Sequence, residues 1–144
     1  MKQFLLLVSL LVPCLVSPKP KLLWFDAIAN FRLLSCADSI RSCLEKARAA
    51  GFTDVVVDVK PITGEVLYVS GVAPQMKEWL GFRRSDTLDY LGTFIGESHK
   101  QRLRIHASVN VFAGGHNFYD RGVVYSMHPA WQSVLLTDSA LRAM

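Results

Sequence analysis

The chain has 144 residues, of which 51% are hydrophobic and 19% are charged. This composition excludes a disordered tail, a collagen-like repeat and a disulfide-stapled miniprotein. The formal charge is +4, and it falls to +3 when Lys2 is set aside with the N-terminal leader (15 Lys and Arg against 12 Asp and Glu). So small and scattered an excess gives no reason to expect nucleic-acid binding.

The first 17 residues, MKQFLLLVSLLVPCLVS, form a leader in which one lysine precedes an apolar run, and polar residues follow at Pro18. This order is typical of a secretory signal, and the run is too short to span a bilayer comfortably. We therefore predict a signal peptide at 1–17 and an exported protein, which is periplasmic, cell-surface or secreted. A buried N-terminal strand or helix is the alternative. Cys14 lies in an imperfect lipoprotein box, so a lipid anchor at Cys14 is the only membrane attachment that the sequence suggests.

The first predicted elements are a strand and a helix. Residues 22–26 form an apolar run that ends in Asp26, which indicates a buried strand. Ser35 is predicted to cap a helix whose inner face carries Ile40, Cys43, Leu44 and Ala47 and which stops at Gly51. Cys36 and Cys43 are separated by two helical turns, about 10 Å, beyond disulfide reach. Both cysteines are therefore predicted to be small buried hydrophobic residues.

A second strand, a second helix and a third strand follow. The β-branched run at 54–59 predicts a strand that Pro61 closes. Residues 62–84 show no sustained period, and Ser85 or Asp86 is predicted to cap a helix with Leu88, Leu91 and Ile95 on its inner face. We expect Gly92 and Gly96 to permit close approach of that helix to a sheet. Residues 104–112 form the third predicted strand, and a long loop opens at Gly114.

The order of these elements predicts a parallel sheet that is covered on both faces. The loops that follow the strands are long and those that precede them are short, as in a (β/α)₈ barrel, whose active sites lie at the carboxyl ends of the strands. A doubly wound open sheet is compatible with the same three strands. The chain lacks both GxGxxG after the first strand and GxxxxGK[ST].

Four blocks of sequence carry a resemblance to a known family: KPKLLWFDAIANF, GFTDVVVDVKPITGEVLY, RIHASVNVFAGGHNFYDRGVVY and HPAWQ. They resemble the opening of the glycosyl-hydrolase-like family ten domain, also known as uncharacterised family 187, particularly in its Bacteroides-type form. The resemblance covers nearly everything from Lys19 to the C-terminus. It implies a (β/α)₈ barrel of the glycosidase superfamily, usually exported, that acts on or binds a polysaccharide.

The resemblance fixes the predicted fold class as α/β, the N-terminal part of a (β/α)₈ TIM barrel. Residues 18–144 would supply about three β/α units, and the remainder of the barrel would be missing. The acids of related barrel glycosidases lie on the fourth and later strands, so the resemblance implies that the catalytic pair lies beyond Met144. The chain alone is therefore expected to be inactive.

The predicted substrate-binding residues lie at the ends of the strands. Glycoside hydrolysis needs two carboxyl groups that flank the bond. Asp26 and Asp58 end adjacent strands and are candidates for a sugar-binding floor, with Lys60 beside them. The alternative is that both carboxylates bind loop amides or pair with Lys60. Asn110, at the end of the third strand, is the strongest candidate for a ligand contact, whereas His106 is predicted to be a core histidine.

The loop after the third strand supplies three more candidates, His116, Asn117 and Asp120, whose side chains suit sugar hydroxyls. An internally hydrogen-bonded loop is the alternative. A metal site at His116 and Asp120 would lack further ligands at a recognisable spacing, so we predict neither a metal nor a cofactor.

Four further side chains have predicted roles that follow from their positions in the chain. Glu65, in the long loop, either reaches the cleft or is only solvated. Trp24 is predicted to lie in the core, Trp79 to form a sugar platform, and Trp131 to anchor a third helix.

The predicted function is that of an exported glycoside hydrolase acting on a polysaccharide or glycan. The alternative is a carbohydrate-binding or surface-scaffold barrel without hydrolysis. A metal amidohydrolase is disfavoured because the first strand ends Trp-Phe-Asp-Ala, without paired histidines. Carbohydrate is the expected partner, and nucleic acid is not.

Overall fold

The computed structural model describes residues 19–137 and 140–143, so the predicted signal peptide and Cys14 lie outside the described residues. The strands are β1 (Leu22–Phe25), β2 (Asp54–Lys60), β3 (Glu78–Trp79), β4 (Phe82–Arg83), β5 (Arg104–Val109), β6 (Val134–Thr137) and β7 (Ala140–Ala143). The helices are α1 (Ala37–Ala49), α2 (Tyr90–Lys100) and α3 (Val123–Met127). Within these described ranges, no helix is long and apolar enough to cross a membrane.

The three predicted strands form one parallel sheet in the order β1-β2-β5, as the sequence predicts. Trp24 pairs with Val56, and Val56 pairs with His106, so these three side chains share one face. The opposite face carries Phe25, which packs edge-to-face on Phe94 of α2 at 5.4 Å between ring centroids. Helices α1 and α2 both contribute to a single hydrophobic core on that face of the sheet.

The prediction of a barrel portion is wrong. After β5 the chain forms a helix of five residues and then the antiparallel pair β6–β7. In a barrel the next strand would pair in parallel with a strand of the same sheet, whereas β6 pairs antiparallel with β7 in a separate sheet. The described chain is instead a mixed α/β fold, with a three-stranded parallel sheet and two small antiparallel pairs.

Among the described residues, no helix packs on the second face of the sheet, contrary to the expectation from its apolar strands. This open face carries Leu22, Trp24, Val56, Asp58, His106 and Ser108. Trp24 is 60% exposed, and Leu22 and His106 are exposed as well. The predictions that Trp24 and His106 lie in the core are therefore wrong. The apolar residues of β1 fill both faces of the strand, but helices pack on only one of them.

Helix α1 forms over nearly the predicted residues, and Ile40, Leu44 and Ala47 are buried as expected. Its cap differs, because Cys36 holds the N-cap position and the Ser35 hydroxyl donates to the Phe31 carbonyl at 2.5 Å. Cys36 is exposed and Cys43 is half-buried, so the prediction that both are buried is wrong. Hydrogen bonds from backbone amides at the start of α1 lower the pKa of the Cys36 thiol.

Helix α2 is capped by Asp89, whose Oδ1 accepts from the Gly92 amide at 2.9 Å, and not by Ser85 or Asp86. Its buried face includes Tyr90 and Phe94, whereas the predicted inner residue Ile95 is exposed. The expected approach of Gly92 and Gly96 to the sheet is absent. A β-carbon at Gly92 would instead meet the Asp89 carboxylate, and one at Gly96 would meet open space.

The region 62–84 contains a hairpin that the sequence pattern does not predict. Trp79 pairs with Phe82, and the two residues between them both have positive φ, 46° at Leu80 and 78° at Gly81. Positive φ at both residues of a two-residue loop is the type I′ pattern. The usual sequence signal for it, Asn-Gly or Asp-Gly, is absent because leucine occupies the first position.

Candidate functional site

A cleft of about 650 Å³ lies where β1, β2 and β5 end, and we call it the strand-end cleft. Four of the predicted site residues, Asp26, Asp58, Lys60 and Asn110, line it together. They meet because the carboxyl ends of parallel strands lie at one edge of a sheet. The sequence therefore located this edge correctly, although the fold around it differs from the one expected.

A break in strand pairing shapes the floor of the cleft. Asp58 pairs with Ser108, but the next pair joins Lys60 to Val109, so β2 carries one extra residue there. Such a bulge bends a strand and redirects the side chains beside it. It brings Lys60 to the chain that leaves β5.

Trp24 and Asp58 form one unit on the open face. The indole Nε1 of Trp24 donates to Oδ1 of Asp58 at 3.0 Å, and the Ala27 amide donates to Oδ2 at 3.4 Å. The indole has few rotatable bonds, and its single donor is held, so the ring has a fixed direction while remaining 60% exposed. The site thus contains an oriented aromatic surface that sequence reasoning missed.

Asp26 begins the turn that follows β1. Its Oδ1 accepts from the Ile28 amide at 2.9 Å and from the Ala29 amide at 2.8 Å. This is the loop-amide role that was the alternative for Asp26, and the carboxylate still lines the cleft. Its second oxygen, Oδ2, has no hydrogen-bond partner among the described residues and remains available to a ligand.

Lys60 binds backbone carbonyls. Its Nζ donates to the Asn110 carbonyl at 2.6 Å, to the Val111 carbonyl at 3.5 Å and to the Ala113 carbonyl. Burial lowers the pKa of the Lys60 ammonium. The ion pair with Asp26 or Asp58, one of the alternatives that the sequence left open, is absent from the described contacts. Lys60 therefore holds the chain after β5 against the end of β2.

The wall held by Lys60 carries polar and aromatic groups. Asn110 and Ser108 line the cleft, and the Asn110 side chain makes no hydrogen bond to any described residue. Phe112 lies at the same wall and is 98% exposed. The cleft therefore combines an amide, a hydroxyl and carboxylate oxygens with two exposed aromatic rings.

The three predicted site residues His116, Asn117 and Asp120 do not line the strand-end cleft. His116 exchanges backbone hydrogen bonds with Arg121, and its Nδ1 accepts from the Phe118 amide at 3.2 Å. Asn117 starts a short 3-10 helix, and Asp120 ends it with φ at 50°. The arrangement is that of an internally hydrogen-bonded loop, the alternative that the sequence left open.

Arg121 ties this loop to the region 62–84. Its guanidinium pairs with Glu65 Oε1 at 2.9 Å and donates to the Glu78 carbonyl at 2.8 Å. Glu65 is thus neither in the cleft nor merely solvated. The two segments also touch backbone to backbone, because a β-carbon at Gly64 would lie 2.7 Å from the Gly114 Cα.

The predictions for Trp79 and Trp131 are wrong. Trp79 is 5% exposed and packs edge-to-face against Tyr119, so it is not an open sugar platform. Trp131 is exposed and stacks on His128 at 4.2 Å between ring centroids, so it does not anchor a helix in the core. Burial of Trp79 follows from the hairpin, which turns that side chain inward.

At the opposite end of the sheet, Asp54 collects three donors. Arg104 donates to it through Nε and Nη2, both at 2.8 Å, and His106 Nε2 and the Thr53 hydroxyl bond to it as well. These hydrogen bonds hold the pKa of the Asp54 carboxyl far below its usual range. The cluster joins β2 to β5 and lines no part of the strand-end cleft.

A search for metal-binding groups among residues 19–137 and 140–143 finds no cluster of three His, Cys, Asp or Glu side chains. The strand-end cleft offers polar groups, aromatic surfaces and two carboxylates, both of which already accept protein hydrogen bonds.

No protein-family model matches the chain. The chain is 32% identical over 122 residues to an S-layer-related protein of Niallia circulans. This match covers 79% of the chain and 7% of that relative, so the chain spans a small part of the relative's length.

Proposed function

We propose that the chain is a carbohydrate-binding segment of an exported, cell-surface protein and that the strand-end cleft is its glycan site. The observation that carries the proposal is the exposed Trp24 ring, whose direction is set by its hydrogen bond to Asp58. One face of a pyranose ring presents C–H groups that pack on an aromatic surface, while its hydroxyls need donors and acceptors at the rim. Asn110, Ser108 and the free oxygen of Asp26 supply them.

The size of the cleft supports a ligand of this class. Its volume of about 650 Å³ lies within the range of small-molecule sites, about 300–1,000 Å³. The open side faces solvent, so a sugar unit within a long chain can enter without threading. The proposed ligand is thus a polysaccharide or glycan, as the family resemblance also suggests.

Hydrolysis of the bound glycan is the second candidate, and it rests on the family resemblance. The described geometry favours binding, because Asp26 and Asp58 both accept structural hydrogen bonds. A general acid must instead hold a proton that it can give to the leaving oxygen. We therefore expect the chain alone to release no reducing sugar from a polysaccharide that it binds.

Export is supported by the leader at residues 1–17 and by the similarity to an S-layer-related protein. We further propose that the leader is cleaved near residue 17 and that the product is retained at the cell surface. Sequencing the N-terminus of the protein from fractionated cells tests both points. A cytoplasmic product that keeps Met1 would contradict export.

Binding is tested with the whole chain and a panel of neutral oligosaccharides: cellohexaose, xylohexaose, mannohexaose and chitohexaose. Calorimetric titration of the wild type is compared with Trp24→Ala and with Trp131→Ala. Trp131 is the matched control because it is also exposed but does not line the strand-end cleft. We expect Trp24→Ala to lower affinity by at least about ten-fold, which corresponds to about 1.4 kcal/mol of lost aromatic contact, and Trp131→Ala to leave it unchanged.

A further inference from the structure

A second cleft adjoins the strand-end cleft at Ile28, which lines both. It has a volume of about 520 Å³ and lies between the turn after β1 and the β3–β4 hairpin. We call it the hairpin cleft. Because the two clefts share Ile28 in their linings, they lie side by side on the surface.

Aromatic rings build the walls of the hairpin cleft. Trp79 packs edge-to-face on Tyr119 at 4.8 Å between centroids, and Phe31 packs edge-to-face on Phe82 at 6.3 Å. These paired rings fix one another, so the walls exist before any ligand arrives. Leu80 closes the rim and is 79% exposed in a backbone conformation that leucine rarely adopts.

Arg32 is the charged residue among those that line the hairpin cleft. The Arg32 guanidinium lies over the Phe82 ring at 5.6 Å from its centroid, is exposed, and forms no ion pair or side-chain hydrogen bond with any described residue. Arg84 lies behind Phe31, with its guanidinium 4.4 Å from that ring's centroid. Arg84 is 3% exposed, and its Nη1 and Nη2 have no hydrogen-bond partner in the described chain.

Neither cation forms an ion pair with a described carboxylate, and the two carboxylates that adjoin the lining residues have other partners. Glu78 Oε1 accepts from the Gly81 amide at 2.8 Å, and Glu78 Oε2 lies 3.5 Å from Arg121. Asp26 Oδ1 is held by the amides of the turn after β1. Arg32, which lines the cleft and has no ion-pair partner among the described residues, can therefore pair with an anionic group of a ligand.

We propose that the hairpin cleft binds an acidic sugar unit, a uronic acid, of the glycan whose neighbouring unit occupies the strand-end cleft. The inference rests on the proposed function and adds the substrate class, an acidic polysaccharide. Arg32 would pair with the carboxylate, because a planar guanidinium matches a carboxylate through two parallel hydrogen bonds. The sugar ring would pack on the aromatic walls beside Phe82.

The test uses the whole chain and ligands that differ only in charge. Oligogalacturonate, oligomannuronate and hyaluronan oligosaccharides are each titrated beside the methyl ester of the same oligosaccharide. The variants are Arg32→Gln, Arg32→Lys and Arg48→Gln. Arg48 is the matched control because it is exposed, has no ion pair among the described residues and lines neither cleft.

We expect the wild type to bind at least one free acid about ten-fold more tightly than its methyl ester, with a preference that weakens as salt is raised. Arg32→Gln should abolish the preference, Arg32→Lys should restore part of it, and Arg48→Gln should leave it intact. Affinity for the ester should be unchanged in all three variants. Polyglutamate should not compete with the acidic oligosaccharide.

Four results would overturn the inference. Equal affinity for the acid and its ester would show that the hairpin cleft does not select an acidic sugar. Equal effects of Arg32→Gln and Arg48→Gln would show the same. If Trp24→Ala still weakened binding in that case, the proposed glycan site would stand. Competition by polyglutamate at equal strength would assign the cleft to an acidic peptide. Failure of every neutral and acidic oligosaccharide to bind would overturn both the inference and the proposed function.

Discussion

Asp58 holds the indole of Trp24 by a 3.0 Å hydrogen bond that crosses from β2 to β1 on the open face of the sheet. The bond gives a carboxylate at a strand end a positioning role, because one of its oxygens is committed to an aromatic side chain. It also explains how a large ring remains ordered while most of it faces solvent. The proposed glycan site depends on this pair.

Lys60→Met should loosen the wall of the strand-end cleft. Methionine keeps most of the length of lysine but cannot donate to the three carbonyls that Lys60 binds. We expect the free energy of unfolding to fall by about 2 kcal/mol, as for loss of hydrogen bonds to a charged group. Urea denaturation measures it. Lys46→Met, at an exposed position on α1, is the control, and an equal loss there would contradict a specific role for Lys60.

Leu80→Asn should stabilise the chain. Leucine at φ 46° carries strain that asparagine tolerates better, so we expect the free energy of unfolding to rise by about 1 kcal/mol. Thermal and urea denaturation measure the change. Val72→Asn is the control, since Val72 is 99% exposed and is not among the residues with positive φ. A loss of stability in Leu80→Asn would show that contacts of the leucine outweigh its strain.

The free energy of unfolding should fall in acid because the Asp54 carboxylate becomes protonated. Hydrogen bonds from Arg104, Thr53 and His106 depress the pKa of Asp54 in the folded chain. A depressed pKa contributes stability that is complete above the unfolded value, about 3.9, and that is lost as pH falls toward the folded value. Urea denaturation between pH 7 and pH 2.5 should therefore show a decline below about pH 4 that Asp54→Asn makes shallower.

At neutral pH, Asp54→Asn is compared with a control variant, Asp38→Asn. Asp54→Asn should lower the denaturation midpoint at pH 7, because it removes the charge that holds Arg104 and His106 across β2 and β5. Asp38→Asn removes a carboxylate from an exposed pair with Arg41 and should have little effect, since such pairs are worth about 0–1 kcal/mol. Identical midpoints for the two variants would contradict the account of Asp54.

The sheet was predictable from the sequence, but what covers it was not. The β-branched run in β2 and the short returns from helix to strand predict the parallel order β1-β2-β5. Alternation could not reveal the open face, because β1 is apolar at every position and its exposure depends on packing by distant residues. Trp24 was therefore assigned to the core.

The candidate site was predictable in part for a related reason. Strand ends locate Asp26, Asp58, Lys60 and Asn110, since that rule needs only the direction of each strand. The hydrogen-bond partner of each polar side chain depends on local backbone geometry, which the spacing of residues in the sequence does not reveal. The bulge that turns Lys60 toward carbonyls and the Leu80 turn that buries Trp79 are two such details. The barrel prediction was wrong because three β/α steps do not determine the element that follows them.

The most direct measurement compares glycan affinity in Asp58→Asn and Asp58→Ala by calorimetric titration, with the oligosaccharide that the wild type binds best. Asparagine retains an oxygen that accepts from the Trp24 indole, whereas alanine removes it. We expect near wild-type affinity for Asp58→Asn and about a ten-fold loss for Asp58→Ala. Equal losses in the two variants would contradict the proposed role of Asp58, because the oxygen that accepts from Trp24 would then not be enough to keep the affinity.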